Sequence, residues 1–341
     1  PPNEIVPITE FPFFTFLYGD LHAHMLTLPL TLLALAMCLN VLVREPGDWR
    51  LGARNLGWPT VLLTWLFFGL VIGVLRPANT WDYPTYLAVG VGVFFLHAYR
   101  SYGLTLRALG EGVWRSALLV ALSTVLWLPF INSFATAFTA VEPWTGSHTV
   151  WWSYLIVHGL FLFVIATFIA LQAWGWWVRH DSEPSARQLA YGVAIVLAVL
   201  MVLAAFANYT AFVIGLPLLI VGALMLLRRD TSPATAFILL ITAAAISLTL
   251  MVDLVVLKGD ISRMNTVFKF YLQVWVLFGV AAAAALAWVW DALKRVGPVS
   301  RGVWQVAFAL LVVGVALYPI LASWGRINDR FDKSVGATLD G

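Results

Sequence analysis

"HAHMLTLPLTLLALAMCLNVLV", residues 22–43, decides the fold. It contains no Asp, Glu, Lys or Arg. As a helix rising about 1.5 Å per residue it is long enough to cross a hydrocarbon core of about 30 Å. Similar runs recur to the end of the 341-residue chain, which is 61% hydrophobic and only 11% charged. Soluble domains carry about a quarter charged residues. The fold expected is therefore all-α, a polytopic transmembrane helix bundle, with residues 1–341 as one transmembrane domain. About ten spans are expected, near 22–43, 58–75, 84–99, 116–134, 150–178, 189–207, 211–227, 234–257, 270–291 and 303–323. Pro29, Pro129, Pro217 and Pro319 fall inside these spans and predict kinks. The place expected for such a chain is the cell membrane, as a multi-pass protein.

Charge placement orients the bundle. Thirteen of the 20 Lys and Arg residues lie in alternate loops, at Arg44, Arg50, Arg54, Arg100, Arg107, Arg115, Arg179, Arg187, Arg228, Arg229, Lys294, Arg295 and Arg301. The positive-inside rule puts those loops on the cytoplasmic side. The net charge of +3 is scattered over connectors rather than gathered on one face, so nucleic acid is not an expected partner. Membrane lipids are. The single cysteine, Cys38, sits in an apolar run and reads as a packed small hydrophobe. The chain begins Pro-Pro and stops at "SVGATLDG", which reads as a fragment of a longer protein.

The opposite, outer side carries three compact polar stretches between aromatics: "FLYGDLHAH" at 16–24, "LRPANTWDYPTY" at 75–86 and "KGDISRMNTVFKF" at 258–270. In an extended chain Asp20, His22 and His24 alternate onto one face and could ligate a metal, or serve a polar catalytic site. On a helix only Asp20 and His24 share a face. The alternative is an interfacial polar cap. "DLHAH" also matches the strand-end metal motif of soluble phosphoesterases and amidohydrolases, but that motif needs a β/α barrel. The second stretch groups Arg76, Asn79, Asp82 and Tyr83. Either Asp82 pairs with Arg76, or the planar fork of Arg76 receives a phosphate. In the third, Arg263, Asn265, Thr266 and Lys269 could hold a lipid-linked phosphate, or the cations could snorkel to headgroups. Asp253 is a further partner for this group. His158 and Gln172 read as satisfied interhelical donors. The outer loop with Glu142, Trp144 and His148 reads as a lid or re-entrant segment, not as a catalytic element.

The same three stretches carry a resemblance. "ITEFPFFTFLYGDLHAHMLTLPL", "NTWDYPTY" and "SRMNTVFKFYLQVW" resemble the signature segments of the uncharacterised YYY membrane protein family, in order over nearly the whole chain. That family's members carry further spans upstream, including the Tyr-rich stretch behind its name. It is distantly similar to the GT-C membrane glycosyltransferases, which take polyprenyl-phosphate-linked sugar donors at the outer face. The resemblance implies a GT-C-like fold and a glycosyltransferase. In the glycosyltransferase reading of these residues, an acid among Asp20 and Asp82 would be the catalytic base or a metal ligand. Arg76, Asn79, Arg263, Asn265 and Lys269 would bind the donor, and Asp20, His22 and His24 would ligate a divalent metal. Carboxylates suit Mg or Mn, and histidines admit Zn. In GT-C enzymes the acid in the first outer loop often acts as base or metal contact. That loop is expected upstream, so its role does not pass to Asp20 by correspondence. The rival reading is a transporter or lipid-handling protein without transferase chemistry. Polar groups gathered on one face, rather than through the mid-membrane, argue against it.

Overall fold

A computed structural model describes residues 12–18, 22–45, 57–135, 140–259 and 263–330. The order is α1 (Phe14–Tyr18), α2 (Ala23–Val43), α3 (Trp58–Gly73), α4 (Leu75–Ala78), α5 (Asp82–Tyr102), α6 (Leu106–Val125) and α7 (Leu128–Ser133). Then follow β1 (Val141–Pro143), α8 (Trp151–His180), α9 (Pro184–Phe206), α10 (Thr210–Leu226), α11 (Pro233–Met251), β2 (Val255–Leu257), α12 (Arg263–Leu293) and α13 (Pro298–Arg330). The described residues are all-α apart from one small ribbon. Among them seven segments are long and apolar enough to cross a membrane: α2, α3 with α4, α8, α9, α11, α12 and α13. Of the other three expected spans, α10 has only 17 residues. The remaining two, α5 and α6, carry buried polar and charged side chains along their length.

Two expected spans end earlier than their apolar composition suggests. The span expected over 116–134 breaks after Val125, and Pro129 lies in the first turn of α7, where its missing N–H costs no helical bond. The span expected over 234–257 stops at Met251. Val255–Leu257 instead pairs antiparallel with Val141–Pro143, Val141 opposite Leu257. β-branched valines suit such a strand, and the pairing satisfies the backbone groups that a continued helix would have bonded internally.

The core lies among α2, α3, α5, α6, α8, α11 and α12. Lipid tails are as apolar as leucine, so close packing rather than water exclusion holds such helices together. Small residues provide that approach. Ala281, Ala282 and Ala285 are buried in α12, which packs on α11 and α8. α9 buries only Ala186 and α13 buries no residue, so both are peripheral and their apolar faces suit lipid.

The two ends differ. At one, the basic loops touch one another. Arg100 donates to Thr231 Oγ1 at 2.8 Å, Arg229 donates to the Arg100 carbonyl at 3.1 Å, and the His97 ring bonds the Arg44 carbonyl at 2.9 Å. Arg228 beside Asp230 holds that exposed carboxyl below the usual carboxylate range. The other end carries the ribbon and the described parts of the three polar stretches.

Candidate functional site

The site is best built from α12, whose two flanks meet different polar groups. Met264, Val267, Phe268, Tyr271 and Trp275 repeat at helical spacing and line a chamber of about 310 Å³. Its opposite wall is the stretch 147–150 and the start of α8, including His148, Ser153 and Tyr154. Across α12, Gln273 points the other way and donates to the Trp81 carbonyl at 2.9 Å, while Phe270 meets the Trp81 ring at 5.9 Å.

Arg263, the first residue of α12, lies at the chamber mouth with 8% exposure. It forms an ion pair with Asp253, donates from Nε to the Val252 carbonyl at 2.9 Å, and from Nη2 to Thr149 Oγ1 at 2.8 Å. Asp253 is fully buried. Its Oδ1 also accepts the Thr149 amide at 3.1 Å and the Thr149 hydroxyl at 2.7 Å, whereas Oδ2 has no partner among the described residues. The Trp144 ring covers the guanidinium at 5.8 Å. The pair expected from sequence therefore forms, and it neutralises Arg263 internally.

Asp82 opens α5 and is 4% exposed. The side chains of Thr27, Asn79 and Gln273 surround its carboxyl. Arg76 does not pair with it. The Arg76 guanidinium lies 3.8 Å from the Tyr83 ring centre, and its Nε is buried without a hydrogen-bond partner among the described residues. The expected Asp82–Arg76 pair is thus replaced by a cation–π contact, because α4 and α5 turn the arginine onto the aromatic face. Asn265 and Lys269 are on α12 but off the chamber-lining face.

Asp20 lies outside the described residues. His22 precedes α2, and its ring meets that of His24 edge-on at 5.1 Å. His24 Nε2 bonds Thr15 Oγ1 at 2.7 Å, and its ring also packs on Phe268 at 5.6 Å. The first stretch therefore reaches the chamber wall through Phe268. Among the described residues no three His, Cys, Asp or Glu side chains gather as ligands. Two histidines, one already bonded to a threonine, do not make a metal site without Asp20 or another ligand.

Tyr271, within the expected span 270–291, and His148, in the loop expected to form a lid or re-entrant segment, are not among the expected site residues. Both line the chamber; the Tyr271 hydroxyl lies against Thr149, and His148 Nδ1 has no hydrogen-bond partner among the described residues. His158 also departs from expectation. It is fully buried, with Tyr154, Tyr271 and Phe278 rings around it, and neither ring nitrogen has a hydrogen-bond partner among the described residues.

Beside the chamber an apolar groove of about 820 Å³ runs between α8 and α13, lined by Trp152, Ile156, Leu310 and Tyr318. Trp275 borders both spaces. No curated protein and no solved structure matches the chain. Residues 6–278 match the family model described as "Uncharacterized membrane protein (DUF2298)". That match covers well over half of the sequence, so the chain belongs to this family of uncharacterised membrane proteins.

Proposed function

We propose that the protein is a membrane glycosyltransferase of GT-C type, with about ten spans, that uses a polyprenyl-phosphate-linked sugar at the extracytoplasmic face. The observation that carries this reading is a mainly apolar chamber bearing a few polar side chains, Ser147, His148, Ser153 and Arg263 among them, that adjoins an apolar groove at the end away from the basic loops, with Trp275 as the common wall. A lipid-linked substrate has two parts, a polar head and a long hydrocarbon chain. Two contacts of α12 support it further: His24 of the first stretch packs on Phe268 beside the chamber, and Trp81 of the second meets Phe270 on the opposite flank.

In this reading a carboxylate, Asp20 or Asp82, takes the proton of the acceptor hydroxyl as its oxygen bonds to the anomeric carbon. The bond from that carbon to the phosphate oxygen breaks, and the electron pair leaves with the polyprenyl phosphate. Lys269 and Arg76, with Asn79 and Asn265, offset the charge developing on the leaving phosphate. Arg263 contributes less than its position in the sequence suggests, since Asp253 already balances it. The divalent metal of the sequence reading would depend on Asp20 together with His22 and His24.

The test is transfer of labelled sugar from a polyprenyl-phosphate donor by the full-length protein in lipid. Asp20→Asn and Asp82→Asn are each compared with the parent, and Lys269→Ala tests the phosphate contact. Loss of a proton acceptor from the reaction is expected to slow transfer about 100-fold or more. Equal transfer by both acid variants would overturn the catalytic assignment. Donor binding without transfer by the parent would favour the lipid-handling alternative.

A further inference from the structure

A separate cleft opens at the basic end of the bundle. α8 and α9 each pack on α10 more than on one another, and the gap between them is a cleft of about 610 Å³ floored by α10. Its α9 wall runs from Leu189 to Leu197, a rise of about 12 Å, against about 15 Å of hydrocarbon in one leaflet. Trp174 and Trp177 line it from α8, and the small Ala190 and Ala194 from α9. Arg228, just beyond α10, is the one charged residue of its described lining.

That guanidinium is only partly balanced. Nε and Nη2 donate to Asp230, but this carboxylate is 57% exposed and also lies 3.9 Å from Arg179. Nη1 meets the Met225 sulfur at 3.8 Å, a weak acceptor, and Met225 itself lines the cleft. A charged donor therefore reaches an apolar cleft with a thioether as its partner there. In the connections at this end Arg179, Arg187, Arg228 and Arg229 outnumber Asp181, Glu183 and Asp230. An apolar slot one leaflet deep, under a guanidinium fork suited to phosphate, matches an acyl chain below an anionic phosphodiester. A zwitterionic head would bring a further cation to a face already rich in arginine.

We propose that this cleft is a binding site for one anionic phospholipid of the leaflet on the basic side, its phosphate on Arg228 and one acyl chain between α8 and α9. The lipid fills the gap between two helices that are joined chiefly through α10. The site is at the opposite end from the chamber and does not depend on the transferase reading.

The experiment titrates the purified full-length protein in maltoside detergent with dioleoylphosphatidylglycerol or dioleoylphosphatidylcholine and counts bound lipid by native mass spectrometry. The parent is expected to hold one phosphatidylglycerol about tenfold more tightly than phosphatidylcholine. Arg228→Gln is expected to remove that preference, about the tenfold that one charge-assisted hydrogen bond contributes. Asp230→Asn frees Arg228 from its competitor and is expected to tighten phosphatidylglycerol. Ala194→Trp fills the cleft from an exposed position, so the melting temperature is expected to hold while the lipid is displaced. Lys294→Gln, at an exposed position beyond α12, is expected to change nothing. A loss there equal to that of Arg228→Gln would show diffuse surface attraction and overturn the proposal. Equal affinity for the two lipids would do the same, as would phosphatidylglycerol binding that survives either Arg228→Gln or Ala194→Trp. Glycerol phosphate that competes as strongly as the lipid would make this a site for free phosphate esters instead, and would also overturn it.

Discussion

Arg263 and Asp253 are held by a local exchange of costs. The guanidinium is 8% exposed and the carboxylate is fully buried, so each would be expensive alone. Thr149 closes the arrangement from the stretch before α8, bonding both partners. Removing one partner leaves an uncompensated buried charge, which costs about 3–5 kcal/mol. Arg263→Ala is therefore expected to lower stability by about that much, and the Arg263→Ala/Asp253→Ala double variant by clearly less than the two single losses added. Denaturation of the three variants in one detergent checks this, and simple additivity would show that the pair is not coupled. The sequence showed these two residues as partners because both are ions in an apolar setting. It could not show Thr149, a residue more than a hundred positions away that the ribbon of β1 and β2 brings alongside. Nor could it separate His97 from His158. Both are lone histidines in apolar helices, yet His97 is bonded at both nitrogens while neither nitrogen of His158 has a partner among the described residues.

At the scale of the element, helix contacts turn on where a side chain is missing. Gly69 and Gly73 lie one turn apart on α3 and face α6. A Cβ at Gly73 would sit 2.1 Å from the Trp127 ring and 2.7 Å from the Ser123 carbonyl; at Gly69 it would sit 2.5 Å from Leu122 Cβ. These are the close approaches that small residues at i and i+4 permit between membrane helices. Gly110, in α6, has open space where its Cβ would be. Gly73→Ala is expected to destabilise the protein by about 1–3 kcal/mol through overpacking against backbone. Gly110→Ala should be neutral, or stabilising by up to about 1 kcal/mol through helix propensity. Thermal melting of the two variants side by side distinguishes them, and equal shifts would mean that α3 and α6 do not pack through this face. Helix positions were legible in the sequence because long apolar runs leave few alternatives. The ribbon was not, since "DLVVLKG" continues the apolar run of α11 and only its pairing with Val141–Pro143 ends the helix. The two flanks of α12 were hidden too. Residues adjacent in sequence, such as Lys269, Phe270 and Tyr271, point to different neighbours.

At the scale of the whole molecule, the distribution of charge and the distribution of cavities agree on an axis. Basic loops meet at one end, through Arg100, Arg228, Arg229 and Thr231. The chamber, the ribbon and the aromatic contacts of the three polar stretches lie at the other. If the positive-inside rule sets the orientation, the chamber opens away from the cytoplasm and the groove beside it lets a lipid enter from the membrane. Cysteine labelling tests this directly, because these 341 residues hold a single cysteine, Cys38, and it is buried. In a Cys38→Ala background, Glu142→Cys places a thiol on the exposed ribbon, and Glu183→Cys places one in the exposed turn between α8 and α9. A membrane-impermeant maleimide added to intact cells is expected to label the first and not the second. After permeabilisation both should react. The reverse pattern would turn the bundle over and put the chamber on the cytoplasmic side, where an outer-face polyprenyl-phosphate donor could not reach it. Labelling of both thiols in intact cells would mean that an even number of crossings separates them. In that case α8 cannot be the single span that joins the chamber end to the basic end.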